Sequence, residues 1–124
     1  IGDSAIKKMP QLTHLNCNYC KIITDVGIME LYDLTYLNCT DNNNITDLSI
    51  KGLANLHILV CDHCKNISDE GIKFLKNLNK LSCGYCENIS DDGIKELKNL
   101  NEIYCKYCPK IHINNFRNLK SVDY

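Results

Sequence analysis

Along this chain, apolar and thiol side chains return at one fixed spacing. Between residues 56 and 77 they stand at Leu56, Leu59, Cys61, Cys64, Ile67, Ile72 and Leu75, and a step of 22 residues forwards finds Leu78, Leu81, Cys83, Cys86, Ile89, Ile94 and Leu97. One step back gives Leu34, Leu37, Cys39, Asn42, Ile45, Ile50 and Leu53, and a second gives Leu12, Leu15, Cys17, Cys20, Ile23, Ile28 and Leu31. A fixed period of this size marks a solenoid, in which each unit buries its apolar face only against its neighbours.

Counting each coil from its first Leu as position 1, positions 1 to 9 read LxxLxCxxC, with Asn42 in place of the last Cys in one coil. Alternation around positions 4 and 6 predicts a short strand with those two side chains inward and positions 3, 5 and 7 outward. One strand per coil is expected at about 14–17, 36–39, 58–61, 80–83, 102–105 and 121–123, all parallel. Thr24, Thr46, Ser68 and Ser90 at position 13, each followed by Asp, are helix-start signals: the hydroxyl caps free N–H groups and the carboxylate suits the positive helix end. Helices are expected at about 25–32, 47–54, 69–76 and 91–98, with the residues at positions 17 and 20 facing inward together. Gly27, Ser49, Gly71 and Gly93 at position 16 imply close approach to the preceding coil, and Asn55, Asn77 and Asn99 are expected as left-handed helix ends. The fifth coil is three residues short and has neither the capping pair nor the glycine, so a single 3₁₀ turn is expected there, with Ile113 and Phe116 inward.

The chain therefore reads as one domain, 1–124, of about five coils, expected to be a fragment of a longer array. Ile1, Ile6 and Met9 at one end and Leu119 and Val122 at the other lack a covering coil, which makes end-to-end self-association an expectation. With 14 basic and 15 acidic residues the net charge is −1, which speaks against an electrostatic nucleic-acid or membrane-surface binder. No apolar run is long enough to span a bilayer.

The 22-residue LxxLxCxxC unit followed by ITD or ISD and GI resembles the cysteine-containing subclass of leucine-rich repeats. The resemblance covers nearly the whole chain. It implies an α/β right-handed solenoid, or horseshoe, with a parallel sheet on the concave side and helices on the convex side. It also implies a protein-binding scaffold, such as the substrate-recognition part of an F-box-type ubiquitin-ligase receptor or a viral or other pathogen factor resembling one.

The nine cysteines include Cys61/Cys64 and Cys83/Cys86, spaced as in a zinc ribbon. That spacing is also what the repeat period imposes, and the equivalent place in the second coil holds Asn42, a poor zinc ligand. Position 9 reads better as a structural ladder of side chains bonding backbone groups of adjacent coils; zinc binding through the CxxC pairs is the alternative. An odd number of inward thiols argues against disulfides and for a reducing compartment, cytoplasm or nucleus. The Cys61/His63 and Cys17/His14 pairs should not meet, because the thiols face in and the rings out, so no enzyme is expected, and no cofactor. Lys7, Lys51, Lys73 and Lys95 at position 18 read as a solvated helix face.

The candidate site is aromatic. Tyr19, Tyr36, Tyr85, Tyr104, Tyr107 and Tyr124, six of seven tyrosines, fall on outward positions of the strand side. His14, His57 and His63 join them, while the helix side reads as Lys, Glu and Asp. Rigid exposed tyrosine is enriched at protein interfaces. The expected partner-binding residues are Tyr19, Tyr36, Ile58, Val60, His63, Lys80, Tyr85, Glu102, Tyr104, Lys106 and Tyr107, on a concave sheet that recognises another protein.

Overall fold

The chain rises coil by coil, and each coil contributes one three-residue strand to a single parallel sheet. In the computed structural model, which describes residues 1–122, the strands are β1 (His14–Asn16), β2 (Tyr36–Asn38), β3 (Ile58–Val60), β4 (Lys80–Ser82), β5 (Glu102–Tyr104) and a two-residue β6 (Lys120–Ser121). Sheet order equals chain order; the first four pairings are offset by one repeat, as in Leu37↔Leu59 and Leu59↔Leu81, and the pairing of β5 with β6, across the short fifth coil, sets Glu102 opposite Lys120. Position 4 therefore stacks on itself through the array, and Leu37, Leu59 and Leu81 are fully or almost fully buried. Part of the expected strand 121–123, and Tyr124, lie outside the described residues.

The helices are single turns: α1 (Asp3–Ile6), α2 (Asp25–Ile28), α3 (Asp47–Ile50), α4 (Asp69–Ile72) and α5 (Asp91–Ile94). The expected eight-residue helices are corrected to half that length. The reason is a spacing of three rather than 3.6. Beyond α2, Leu31 N–H donates to Ile28 C=O and Leu34 N–H to Leu31 C=O, so successive tight turns return every third side chain to the core. The same device precedes the helix, where Cys20 N–H donates to Cys17 C=O and Ile23 N–H to Cys20 C=O. Between the ends, the core is one column of Leu, Ile and Cys with most members at zero exposure. The fifth coil keeps its expected 3₁₀ turn, Ile113–Asn115, with Ile113 and Phe116 packed against that column.

Side chains tie coil to coil. The helix-start Thr or Ser does cap, Ser68 Oγ accepting from Glu70 N–H at 3.2 Å, but the Asp beside it works between coils. Asp47 Oδ1 accepts from Ser68 N–H at 2.8 Å and Oδ2 from Ser68 Oγ at 2.5 Å in the next coil, and Asp3, Asp25 and Asp69 repeat the arrangement. Position 16 faces this carboxylate. A Cβ on Gly71 would overlap Asp47 Oδ1, whereas Ser49 fits by donating to Asp25 Oδ1. In the short fifth coil, His112 takes the hydroxyl's place, its N–H and ring Nδ1 meeting Asp91 at 2.7 and 2.9 Å, and Asn115 Nδ2 donates to the same carboxylate at 3.0 Å. Desolvation raises the Asp91 carboxyl, but these hydrogen bonds and the nearby His112 charge outweigh it and hold its pKa below the ordinary value.

Position 9 is a ladder of mixed chemistry. Asn42 Nδ2 donates to Cys20 C=O and Ile23 C=O, while Cys64, Cys86 and Cys108 Sγ donate to Cys39, Cys61 and Cys83 C=O of the coil before. Asn55, Asn77 and Asn99 likewise donate to backbone carbonyls one coil back. Their backbones are not left-handed, which corrects that expectation. Two thiols depart from the inward rule, since Cys20 and Cys105, near the two ends of the array, are only half-buried. Ile6, expected to be uncovered, is 2% exposed against the first coil, while Ile1 is 80% and Met9 40% exposed.

Candidate partner-binding face

After each strand the chain turns at position 8, and there the backbone is left-handed in five successive coils: Tyr19, Asp41, His63, Tyr85 and Tyr107, with φ between 58° and 62°. Each of the first four donates its N–H to the position-7 carbonyl of the next coil, as Tyr85 does to Lys106 at 2.9 Å, so the turn extends the hydrogen-bond ladder beyond the sheet. For a bulky side chain this conformation costs about 1 kcal/mol or more. Asp41 and His63 are of types enriched in this conformation, whereas Tyr19, Tyr85 and Tyr107 are not. Asn or Gly would relieve the strain, yet four of the five turns carry a ring.

The rings form a ridge along the sheet edge. His63 and Tyr85 stack at 4.2 Å with planes 14° apart, Tyr85 and Tyr107 lie 4.7 Å apart at 32°, and Lys106 Nζ sits 5.3 Å from the Tyr107 ring centre. Tyr85 is 44% and Tyr107 61% exposed. Tyr19 continues the row but is cut off from His63 by Asp41.

On the sheet itself, Ile58, Val60, Tyr36, Glu102 and Tyr104 are half-buried and Lys80 is exposed. Lys80 pairs with Glu102 across β4 and β5 at 3.5 Å, and Tyr36 stacks on His14 at 5.8 Å, away from the ridge. Of the residues expected at the site, Tyr19, His63, Tyr85 and Tyr104 line one groove, and Tyr107 and Lys106 adjoin it, with the Lys80–Glu102 pair on the strands beside them. Tyr36 does not join them.

Sequence reasoning missed the polar floor of this face. Asp62, at position 7, accepts from Ser82 Oγ at 2.8 Å and from Gly84 N–H at 2.6 Å. Tyr104 lies across Gly84, where an added Cβ would come within 2.7 Å of its ring. Tyr19, Thr40, Asp62, His63, Tyr85 and Tyr104 line a shallow groove of about 220 Å³. A larger hollow, about 610 Å³, opens beside Cys105 and Tyr107, between Glu87 and Pro109. The coincidence of Gly84 with an outward tyrosine one coil on was the available signal.

The helix side is less polar than expected: Val26, Tyr32, Leu48 and Phe74 are each about half exposed. This corrects the reading of that side as Lys, Glu and Asp.

Cys61 has no exposed surface while His63 points out and stacks on Tyr85, and Cys17 is 2% exposed while His14 stacks on Tyr36. Burial pushes the Cys17 thiol up to about 12; hydrogen bonding to a neighbouring thiol, with burial, raises Cys39, Cys61 and Cys83. Such thiols are poor nucleophiles. Among the described residues no group of three or more His, Cys, Asp or Glu is arranged to hold a metal ion, and no helix is long and apolar enough to cross a membrane.

A family model of leucine-rich repeats in two copies matches residues 10–55. No curated protein sequence matches the chain. Among solved structures, it is similar to internalin C2 of Listeria monocytogenes str. 4b F2365, at 27% identity and TM-score 0.76, over 96% of this chain and 54% of that one. It also resembles the functional domain of InlJ from Listeria monocytogenes, described as including a cysteine ladder, at 23% identity and TM-score 0.61, over 95% of this chain and 31% of that one. A chain of the yeast Rad7 and Elc1 complex matches at 18% identity and TM-score 0.63, over 100% of this chain and 44% of that one. This chain thus spans about half the length of internalin C2 and less of the other two. Parallel strands stacked at one repeat per step, the leucine and cysteine columns and these matches together make the chain a leucine-rich-repeat solenoid.

Proposed function

We propose that this solenoid is a protein-interaction scaffold whose concave sheet face, with the His63–Tyr85–Tyr107 ridge at its rim, binds another protein, without catalytic chemistry of its own. The observation that carries the reading is the ridge itself: rings held in a strained backbone and left exposed, where Asn or Gly would fold more easily. Aromatic side chains fixed by stacking lose little freedom on binding and supply large contact area, as interface anchors do. The finer form is substrate recognition within an F-box-type ligase receptor, or within a viral or pathogen factor resembling one. The similar chain in the yeast Rad7 and Elc1 complex supports only that repeats of this shape assemble with other proteins. Buried free thiols fit a cytoplasmic or nuclear setting. Exposed Ile1 and Met9 extend the same reading to self-association at that end.

A photo-crosslinking amino acid at Tyr107, compared with one at Phe74 on the helix side, tests the face directly. Crosslinks to one partner from Tyr107 and none from Phe74 are expected. The reverse pattern would place recognition on the convex side.

A further inference from the structure

Resting on that reading, we infer that the groove between the ridge and the strands takes a cationic side chain, an arginine or lysine presented by the partner. The groove pairs aromatic rings with an unneutralised carboxylate, the two features that attract a protonated nitrogen. Tyr104 and Tyr19 supply the rings, the stacked His63 and Tyr85 wall the groove with their edges, and Asp62 supplies the charge.

Asp62 is held in place by neutral donors only, Ser82 Oγ at 2.8 and 2.9 Å from its two oxygens and Gly84 N–H at 2.6 Å from Oδ1. These bonds orient the carboxylate and leave its charge uncancelled. No ion pair involves Asp62 or Asp41 among the described residues, and Asp41 stands in the ridge row between Tyr19 and His63. The lysines of this face, on the fourth and fifth coils, are engaged: Lys80 with Glu102 at 3.5 Å, Lys106 over Tyr107 at 5.3 Å. Among the residues that line the groove, Asp62 is the one carboxylate and none is a lysine. Gly84 is what allows the geometry. A Cβ there would stand 2.7 Å from Tyr104 Cε1 and 3.2 Å from Asp62 Oδ1, so any other residue would lift the ring or displace the carboxylate. Ser82 is itself 7% exposed, which makes the carboxylate's support a built feature rather than a mobile surface contact.

The test uses the whole chain and small probes: N-acetyl-arginine methylamide, N-acetyl-lysine methylamide and, as a neutral arm, N-acetyl-citrulline methylamide, with tyrosine ring resonances followed by NMR at pH 8. The arginine or lysine probe is expected to shift Tyr85 and Tyr104 saturably, with a Kd on the order of 1–10 mM, while citrulline shifts neither. Asp62→Asn keeps acceptors for Ser82 and Gly84 and should weaken the cation about tenfold. Equal shifts from citrulline, or undiminished cation binding by Asp62→Asn, would overturn the inference. So would silent rings in a protein whose Tyr107 crosslinks its partner, a result that leaves sheet-face recognition standing. Ring shifts by arginine in a protein crosslinked only from Phe74 would support the groove and remove the proposed function instead.

Discussion

Replacing Gly71 by alanine sets two effects of opposite sign against each other. Alanine is the better helix former, so local propensity alone predicts a gain of about 0.5–1 kcal/mol. Against this, the new Cβ would overlap Asp47 Oδ1 and stand 3.1 Å from Asp47 Cα, in the coil below. The carboxylate cannot swing away freely, because it accepts from Ser68 N–H at 2.8 Å and Ser68 Oγ at 2.5 Å. Bonds to a charged acceptor contribute about 1.5–3 kcal/mol each. Either one of them is lost or α3 and α4 separate over the fully buried Ile50 and Ile72, an overpacking strain of about 1–3 kcal/mol. The clash wins, and Gly71→Ala is expected to destabilise by about 1–3 kcal/mol in urea unfolding followed by circular dichroism. Gly71→Ser should cost less, since Ser49 already occupies the equivalent place by donating to Asp25. In the double variant Asp47→Ala/Gly71→Ala the clash partner is gone, so the two costs should fall short of additivity by about 1 kcal/mol or more. A Gly71→Ala protein as stable as the parent, or strict additivity, would refute the account of position 16.

Leu59→Ala, in the fully buried core column, should cost about 2–5 kcal/mol in the same unfolding assay. Asn42→Cys should cost about 1–2 kcal/mol, because a thiol makes one of the backbone bonds that Asn42 makes; equal costs would disprove the shared ladder role. Alkylation of the folded protein read by mass spectrometry should modify half-buried Cys20 and Cys105 and spare Cys17, Cys39, Cys61 and Cys83, and rapid labelling of Cys61 would contradict the buried column. Asp91, whose folded pKa lies below its ordinary 3.8, stabilises the last turn at pH above that value, and the stabilisation is lost as pH falls through the lower folded value. Hydrogen exchange at Ile113–Asn115 should therefore accelerate, relative to the central coils, only in that acidic window, and a loss beginning near neutrality would speak against the carboxylate.

The period, the parallel sheet and the core column were legible because a solenoid repeats one local solution: Leu15, Leu37, Leu59 and Leu81 occupy equivalent places in four coils, and no single coil had to be read alone. Helix length was not legible. Ile28 and Leu31 stand three apart, a spacing that a helix face and a run of three-residue turns share, and only the bond from Leu31 N–H to Ile28 C=O separates them. The Asp column was visible at every twenty-second residue from Asp3, but its role as a bond between coils depends on the distance between neighbours, which sequence does not state. The left-handed turn was hidden by its occupants, since Tyr85 and Tyr107 are among the types least suited to it. The tyrosine ridge was placed on the right side of the coil; the Asp62 floor beneath it depends on Ser82 and Gly84, which carry no signal until the strands are stacked.

The most direct measurement of the central claim is the affinity of the captured partner for four variants of the full chain. Tyr85→Ala and Tyr107→Ala remove ring contacts but no core contact, so unfolding should move by no more than about 1 kcal/mol. Each should weaken the partner by about 2 kcal/mol or more, roughly thirtyfold. Lys73→Ala and Leu48→Ser, on the helix side, should leave the affinity unchanged. Full-strength binding by both tyrosine variants, with loss in Lys73→Ala or Leu48→Ser, would show that the partner sits on the convex face.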